Sequence, residues 1–124
     1  MYDSSNIFAK ILAGEIPCEK VYEDDDVLAF YDIHPAAPVH VMIVPKEQGH
    51  VSFDDFVTNS EPGTVCNFFR KIAEIAEILG LNESGYRLIT NYGKDAIQTV
   101  GHFHVHMLGG ERLGPLLAND RYHL

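Results

Sequence analysis

Cysteine is scarce in this chain. Cys18 and Cys66 are the only two in 124 residues, and no Cys-x-x-Cys pair occurs, so a disulfide framework is not the basis of the fold. Both are expected to be reduced and partly buried, as in a cytoplasmic protein. Positive charge is scarce too. Nine Lys and Arg face eighteen Asp and Glu, a net charge of −9 with His neutral. A field of that sign disfavours the nucleic-acid backbone and an anionic membrane surface. It speaks against a polynucleotide binder, although a local pocket can oppose it and hold a small phosphate ligand. No apolar run approaches the roughly 18 residues of a spanning helix. The opening Met1-Tyr2-Asp3-Ser4-Ser5-Asn6 is polar with no basic segment, so no secretory leader is expected. What remains is a chain 46% hydrophobic and 22% charged, the composition of a globular domain rather than a disordered one. Its length suits a single domain over 1–124, with 111–124 as a tail of no clear period.

The apolar pattern gives the elements. Ser4 or Ser5 is placed to cap a short helix over about 6–13, with Ile7, Phe8, Ile11 and Leu12 on one face and Gly14 at its end. Strands are expected at 21–23, 27–33 and 39–44, with the acidic turn Asp24-Asp25-Asp26 between the first two. The prolines of His34-Pro35-Ala36-Ala37-Pro38 demand a loop. Residues 46–61 are polar and poorly periodic, with a helical turn near 53–57. The strongest helix spans about 62–79: Pro62 suits its first turn, and Val65, Phe68, Phe69, Ile72, Ile75, Ala76 and Leu79 form one apolar face. Strands over 86–91 and 99–108 follow. Short links between consecutive strands favour antiparallel pairing. The expected class is therefore α+β, a five-stranded antiparallel sheet packed with one long and one short helix.

The informative segment is His102-Phe103-His104-Val105-His106-Met107-Leu108-Gly109-Gly110. In an extended chain successive side chains point to opposite faces. Phe103, Val105 and Met107 then share one face and pack on the long helix, while His102, His104 and His106 share the other. Three readings compete. The row is an exposed polar face that happens to be histidine. Or it binds metal; but the outer pair stand on the order of 13 Å apart at the strand rise, too far to share one ion easily, and no carboxylate lies beside them in sequence. Or it serves nucleophilic chemistry at phosphorus, with one imidazole attacking and its neighbours donating to phosphate oxygens. The spread along the strand suits an extended phosphoryl ester, and the sequence favours this third reading.

The segment Gln98 to Gly110 resembles the signature of the histidine triad (HIT) superfamily, and its Gly109-Gly110 ending is similar to the HINT branch of nucleoside phosphoramidate hydrolases. The resemblance extends to Ile7-Phe8-Ala9-Lys10-Ile11 with Gly14-Glu15-Ile16-Pro17, to Leu28–Ile33 with Pro35, Ala37-Pro38 and His40, and to Gly85–Asn91, about residues 4–110 in all. It implies a purine nucleoside 5′-phosphoramidate hydrolase that works through a nucleotidyl-histidine and releases a nucleoside monophosphate. His104 would be the nucleophile. His106 and Thr99, with Gln98 beside them, would meet the phosphate, and His102 and His40 would orient the nucleophile and support proton transfer. Asn91 would stand on the phosphate or leaving-group side. Asp32 would bind the ribose hydroxyls, and Ile7, Phe8, Ile11, Ile16, Phe30 and Ile33 would wall the base. The resemblance further implies a homodimer whose sheets join into ten strands, and chemistry with no metal or other cofactor.

The chain also departs from that pattern. Asn6 and Ala9 stand where some bacterial relatives carry a zinc-binding Cys pair, so no such zinc is expected. Two extra residues precede His50, Ile97 replaces a Gly before Gln98, and the tail has no Trp-Pro-Pro-Gly ending. Ile97 is placed to narrow the approach to the phosphate. His34, His50 and His123 are read as surface histidines. The rival functions are dinucleoside polyphosphate cleavage, as in the Fhit-like branch, and a nucleotide-binding scaffold with incidental catalysis.

Overall fold

The computed structural model describes residues 1–118; His123 and the rest of 119–124 lie outside the described residues. Three helices and five strands follow in the order α1 (Ile7–Leu12), β1 (Lys20–Glu23), β2 (Val27–Tyr31), β3 (Val39–Pro45), α2 (Phe53–Asn59), α3 (Pro62–Ile78), β4 (Tyr86–Ile89) and β5 (Val105–Gly109). The strands form one antiparallel sheet in the order β1-β2-β3-β5-β4. The last strand in sequence thus enters between β3 and β4 and lies near the middle of the sheet. Among the described residues no helix is long and apolar enough to cross a membrane.

The two faces of the sheet are covered differently. On one, Val27, Ala29, Val41, Ile43, Phe103, Val105 and Met107 close against Phe68, Ile72, Ile75 and Ala76 of α3 and Phe56 of α2. Phe56 stacks on Phe103 with ring centroids 4.8 Å apart. On the other, Leu28, Phe30, Met42 and Val44 meet Phe8 of α1. Val27–Phe30 are buried on both sides, which is why that stretch reads as an unbroken apolar run rather than an alternation.

The sequence-based expectations need five adjustments. The N-cap of α1 is Asn6, whose Oδ1 accepts from Ala9 N at 2.9 Å, because Asp3 already holds both the N–H and the hydroxyl of Ser5. A second short helix, α2, replaces the isolated turn near 53–57; Ser52 caps it and Phe56 is its single buried anchor, too little apolar content to show a period. The last strand is shorter than 99–108. Before Val105 the backbone leaves the ladder: Phe103 N donates to His50 O at 2.8 Å, the Thr90 hydroxyl donates to His104 O at 2.9 Å, and His102 O is taken by a histidine ring. Side-chain alternation nevertheless persists through 102–107. His50 is not a surface residue; its ring lies edge-on to Phe56 at 5.5 Å and its buried Nδ1 has no hydrogen-bond partner. Of the two free thiols, Cys18 is half-buried and Cys66 exposed.

Candidate active site

The pairing register assembles the half-covered face. Phe30 stands opposite Met42, and Met42 opposite His106, so three strands contribute one row across the sheet. Asp32 N donates to His40 O at 3.0 Å, extending the next row just past the end of β2. His104 precedes His106 by two residues and shares its face; their ring centroids are 5.1 Å apart. Helix α1 roofs only part of this face. Beside it opens a cavity of about 490 Å³, a size suited to a nucleotide.

The cavity has three zones. Ile7, Phe8, Ile11 and Ile16 from α1 and its exit, with Phe30 and Met42 from the sheet, make an apolar end. Asp32, Ile33 and His34 line one rim, and Asn91, Ile97, Gln98 and Thr99 the other, with His104 and His106 between them. Pro17, Cys18, Tyr31 and Val100 complete the lining. No Lys or Arg is among these residues.

Two candidate residues stand outside the lining. His102 is buried behind Phe8, ring centroids 5.9 Å apart, and its Nδ1 bonds the Tyr2 hydroxyl at 2.8 Å. His40 lies behind His106. Gln98 lines the cavity, but its amide is committed to the main chain: Nε2 donates to Val51 O and Val100 O, and Oε1 accepts from Gly93 N. Cys18, Tyr31, Met42 and Val100 escaped the sequence reading because only strand register and the roof of α1 bring them to the site. His34, read as a surface residue, is exposed yet belongs to the rim; its neighbour Asp32 was the available signal.

Backbone partners fix the histidine tautomers. Ala36 N–H donates to His40 Nδ1 at 3.0 Å, so neutral His40 carries its proton on Nε2. That proton points to His106 Nδ1 at 2.9 Å, which leaves His106 protonated on Nε2. His104 Nδ1 lies 2.7 Å from His102 O, which can only accept, so His104 holds its proton there and has a lone pair on Nε2. No described residue bonds His104 Nε2 or His106 Nε2, and both rings line the cavity. The site therefore presents one bare nitrogen beside one N–H donor.

Burial keeps these rings neutral. It holds His104 below the ordinary imidazole value, against the opposing pulls of its bond to His102 O and of the Asp32 carboxylate. Burial, then the neighbouring His104 and His40, push His106 down to about 4. Burial and the neighbouring His104 and His50 do the same to His102, also to about 4. His40 is lowered as well, burial outweighing Asp32. His40 Nε2 is 3.5 Å from Asp32 Oδ2, a charge–dipole contact for a neutral ring rather than an ion pair.

No carboxylate adjoins the histidines in sequence, but the fold brings Asp32, a site residue implied by the family resemblance, beside His40 and His106. One donor atom each from Asp32, His40 and His106 lie within 4.8 Å of one another, close enough to surround an ion. The donor chemistry does not fit. Nδ1 of His40 receives the Ala36 N–H, and a ligating Nε2 would force the ring proton onto that same Nδ1. Metal binding here would break a backbone hydrogen bond.

The HIT domain family matches residues 13–113 of the sequence. The chain belongs to the HIT family. It is 46% identical over 117 residues to an uncharacterised 13.2 kDa HIT-like protein of Azospirillum brasilense, covering 94% of this chain and 95% of that one. It is 43% identical over 113 residues to a purine nucleoside phosphoramidase of Escherichia coli, covering 91% and 93%. The fold matches a histidine triad protein from Clostridium difficile with a TM-score of 0.82 at 43% identity, over 93% of this chain and 98% of that chain. A HIT family hydrolase from Legionella pneumophila matches with a TM-score of 0.80 at 39% identity, over 87% and 95%.

Proposed function

We propose that this HIT protein hydrolyses the P–N bond of purine nucleoside 5′-phosphoramidates through a nucleotidyl intermediate on His104. The observation that carries the reading is the tautomer pair: a bare His104 Nε2 beside an Nε2–H of His106 in one nucleotide-sized cavity. The base lies against Phe8, Ile11, Ile16 and Phe30, with Ile7 and Ile33 at the rim, and the ribose hydroxyls donate to Asp32. The Asp32 carboxylate also accepts from His34 N at 2.8 Å, which holds it in place. His106 Nε2–H, Thr99 and Asn91 receive the phosphate. Gln98 and His102 serve as supports, and His40 sets the His106 tautomer.

In the first step His104 Nε2 bonds to phosphorus and the P–N bond breaks, its electron pair staying on nitrogen. The amine nitrogen takes up a proton from solvent at the cavity mouth as it departs, while neutral His106 keeps its Nε2–H on the phosphate oxygen. In the second step water bonds to phosphorus and releases its proton to solvent, and the P–Nε2 bond breaks with its pair returning to His104. A nucleoside monophosphate leaves. The reaction needs His104 neutral, which its lowered pKa supports. Among the described residues the lining has no Lys or Arg, which favours a single phosphate over the polyphosphate chain of the Fhit-like alternative. Strand β4 is an edge strand with Tyr86 and Leu88 exposed, which suits the homodimer and joined sheet that the resemblance implies.

The test is hydrolysis of adenosine 5′-phosphoramidate in EDTA, followed by an alkaline denaturing quench and mass spectrometry. A nucleotidyl adduct on His104 is expected. Turnover by His104→Ala at the wild-type rate would overturn the mechanism, and preferred cleavage of a dinucleoside polyphosphate would overturn the substrate class.

A further inference from the structure

Ile97 has a backbone φ of 56°, in the left-handed region, where among the described residues it is the only one other than glycine. A β-branched side chain is a steric outlier there. The turn around it is over-determined. Ile97 N donates to Lys94 O at 3.1 Å and Gln98 N to Gly93 O at 3.0 Å. The Gln98 amide then ties the turn to Val51. Packing does not explain the choice of residue, because Ile97 is 77% exposed. Yet it lines the cavity. Strain kept at a cavity mouth, with no core contact in return, points to a ligand.

The proposed function says which part of the ligand. The apolar end takes the base, Asp32 the ribose, and His104 with His106 the phosphorus. The group leaving phosphorus exits on the remaining rim, that of Asn91, Gln98, Thr99 and Ile97. We infer that Ile97 is a specificity-determining residue for the leaving group and selects amines bearing an alkyl or aryl substituent over amines bearing a charged one. Its exposed side chain turns a polar rim into a part-apolar one, and a substituent laid on it removes apolar surface of both partners from water. The same exposure places it at the mouth, where a substituent extends, rather than at the phosphorus.

This inference rests on the phosphoramidate reading, and the experiment separates the two. Adenosine 5′-phosphoramidates carrying benzylamine or glycine are compared, in hydrolysis and in competitive binding against AMP, for wild type, Ile97→Gly, Ile97→Asn and Ile97→Leu. The preference for benzyl over glycyl, as a ratio of kcat/KM, should fall about tenfold in Ile97→Gly and Ile97→Asn and survive in Ile97→Leu. Asn tolerates the left-handed conformation, so its loss of preference reports the side chain and not the turn. Thermal midpoints of Ile97→Gly and Ile97→Asn should rise as strain is relieved. An unchanged ratio with hydrolysis intact overturns the role of Ile97 and leaves the function standing, and lowered midpoints would overturn it by showing that Ile97 holds the turn. If wild type cleaves neither amidate, the function fails. Tighter binding of the benzyl amidate than of AMP, lost in Ile97→Gly, then still supports the apolar subsite, and equal binding overturns it.

Discussion

The two faces of the sheet are built from neighbouring residues and behave as opposites. Phe103, Val105 and Met107 point into a dry core sealed by α2 and α3, whereas His102, His104 and His106 point to a face that α1 covers in part. On the sealed face the packing is predominantly apolar, and its side chains are replaceable by others of equal volume. On the open face each ring nitrogen has one assigned partner or none. The contrast teaches that a single alternating segment can separate stability from chemistry, one residue at a time.

The sharpest way to break this comparison is to truncate adjacent residues. His104→Ala should lower phosphoramidate turnover by roughly a thousandfold or more, measured in single-turnover assays, because the nucleophile is gone. Its urea midpoint should change little. Phe103→Ala should do the reverse, costing about 3–5 kcal/mol of stability by urea titration, since Phe56 and Phe68 lose a buried ring between them. If both variants lose activity and stability together, the faces are not separate.

Acid sharpens the contrast next. His102 and His106 have folded values of about 4 against an ordinary 6.5. Between those limits the unfolded chain binds protons that the folded chain refuses. Their contribution is full above pH 6.5, declines as pH falls through the window, and is gone below about 4, on the order of a few kcal/mol in all. Glu23, held down to about 2 by Lys20 and Lys46, titrates below this window. Urea midpoints at pH 7, 5.5 and 4.5 should therefore fall steadily, and a flat series would mean the open face is not desolvated. The smallest effect belongs to Tyr2→Phe, which removes the hydroxyl on His102 and should cost about 1 kcal/mol with turnover reduced only a few-fold.

Much of the fold was legible in the sequence. The helix over 62–78 declared itself by its apolar period and Pro62, and β2 and β3 by their apolar runs. Helix α2 was not, because one buried Phe56 in seven residues leaves no period. Nor was the early end of the last strand, since Phe103 pairs with the connector at His50, a partner fifty-three residues away that no local pattern encodes. The alternation of three histidines with three apolar residues determined which residues carry chemistry, because the two sides of an extended chain are set by covalent geometry alone. The tautomers, the arrival of Asp32 and the withdrawal of His102 from the cavity were decided only by tertiary structure. Each depends on which backbone group or ring the fold sets against a given nitrogen, and those partners come from distant elements.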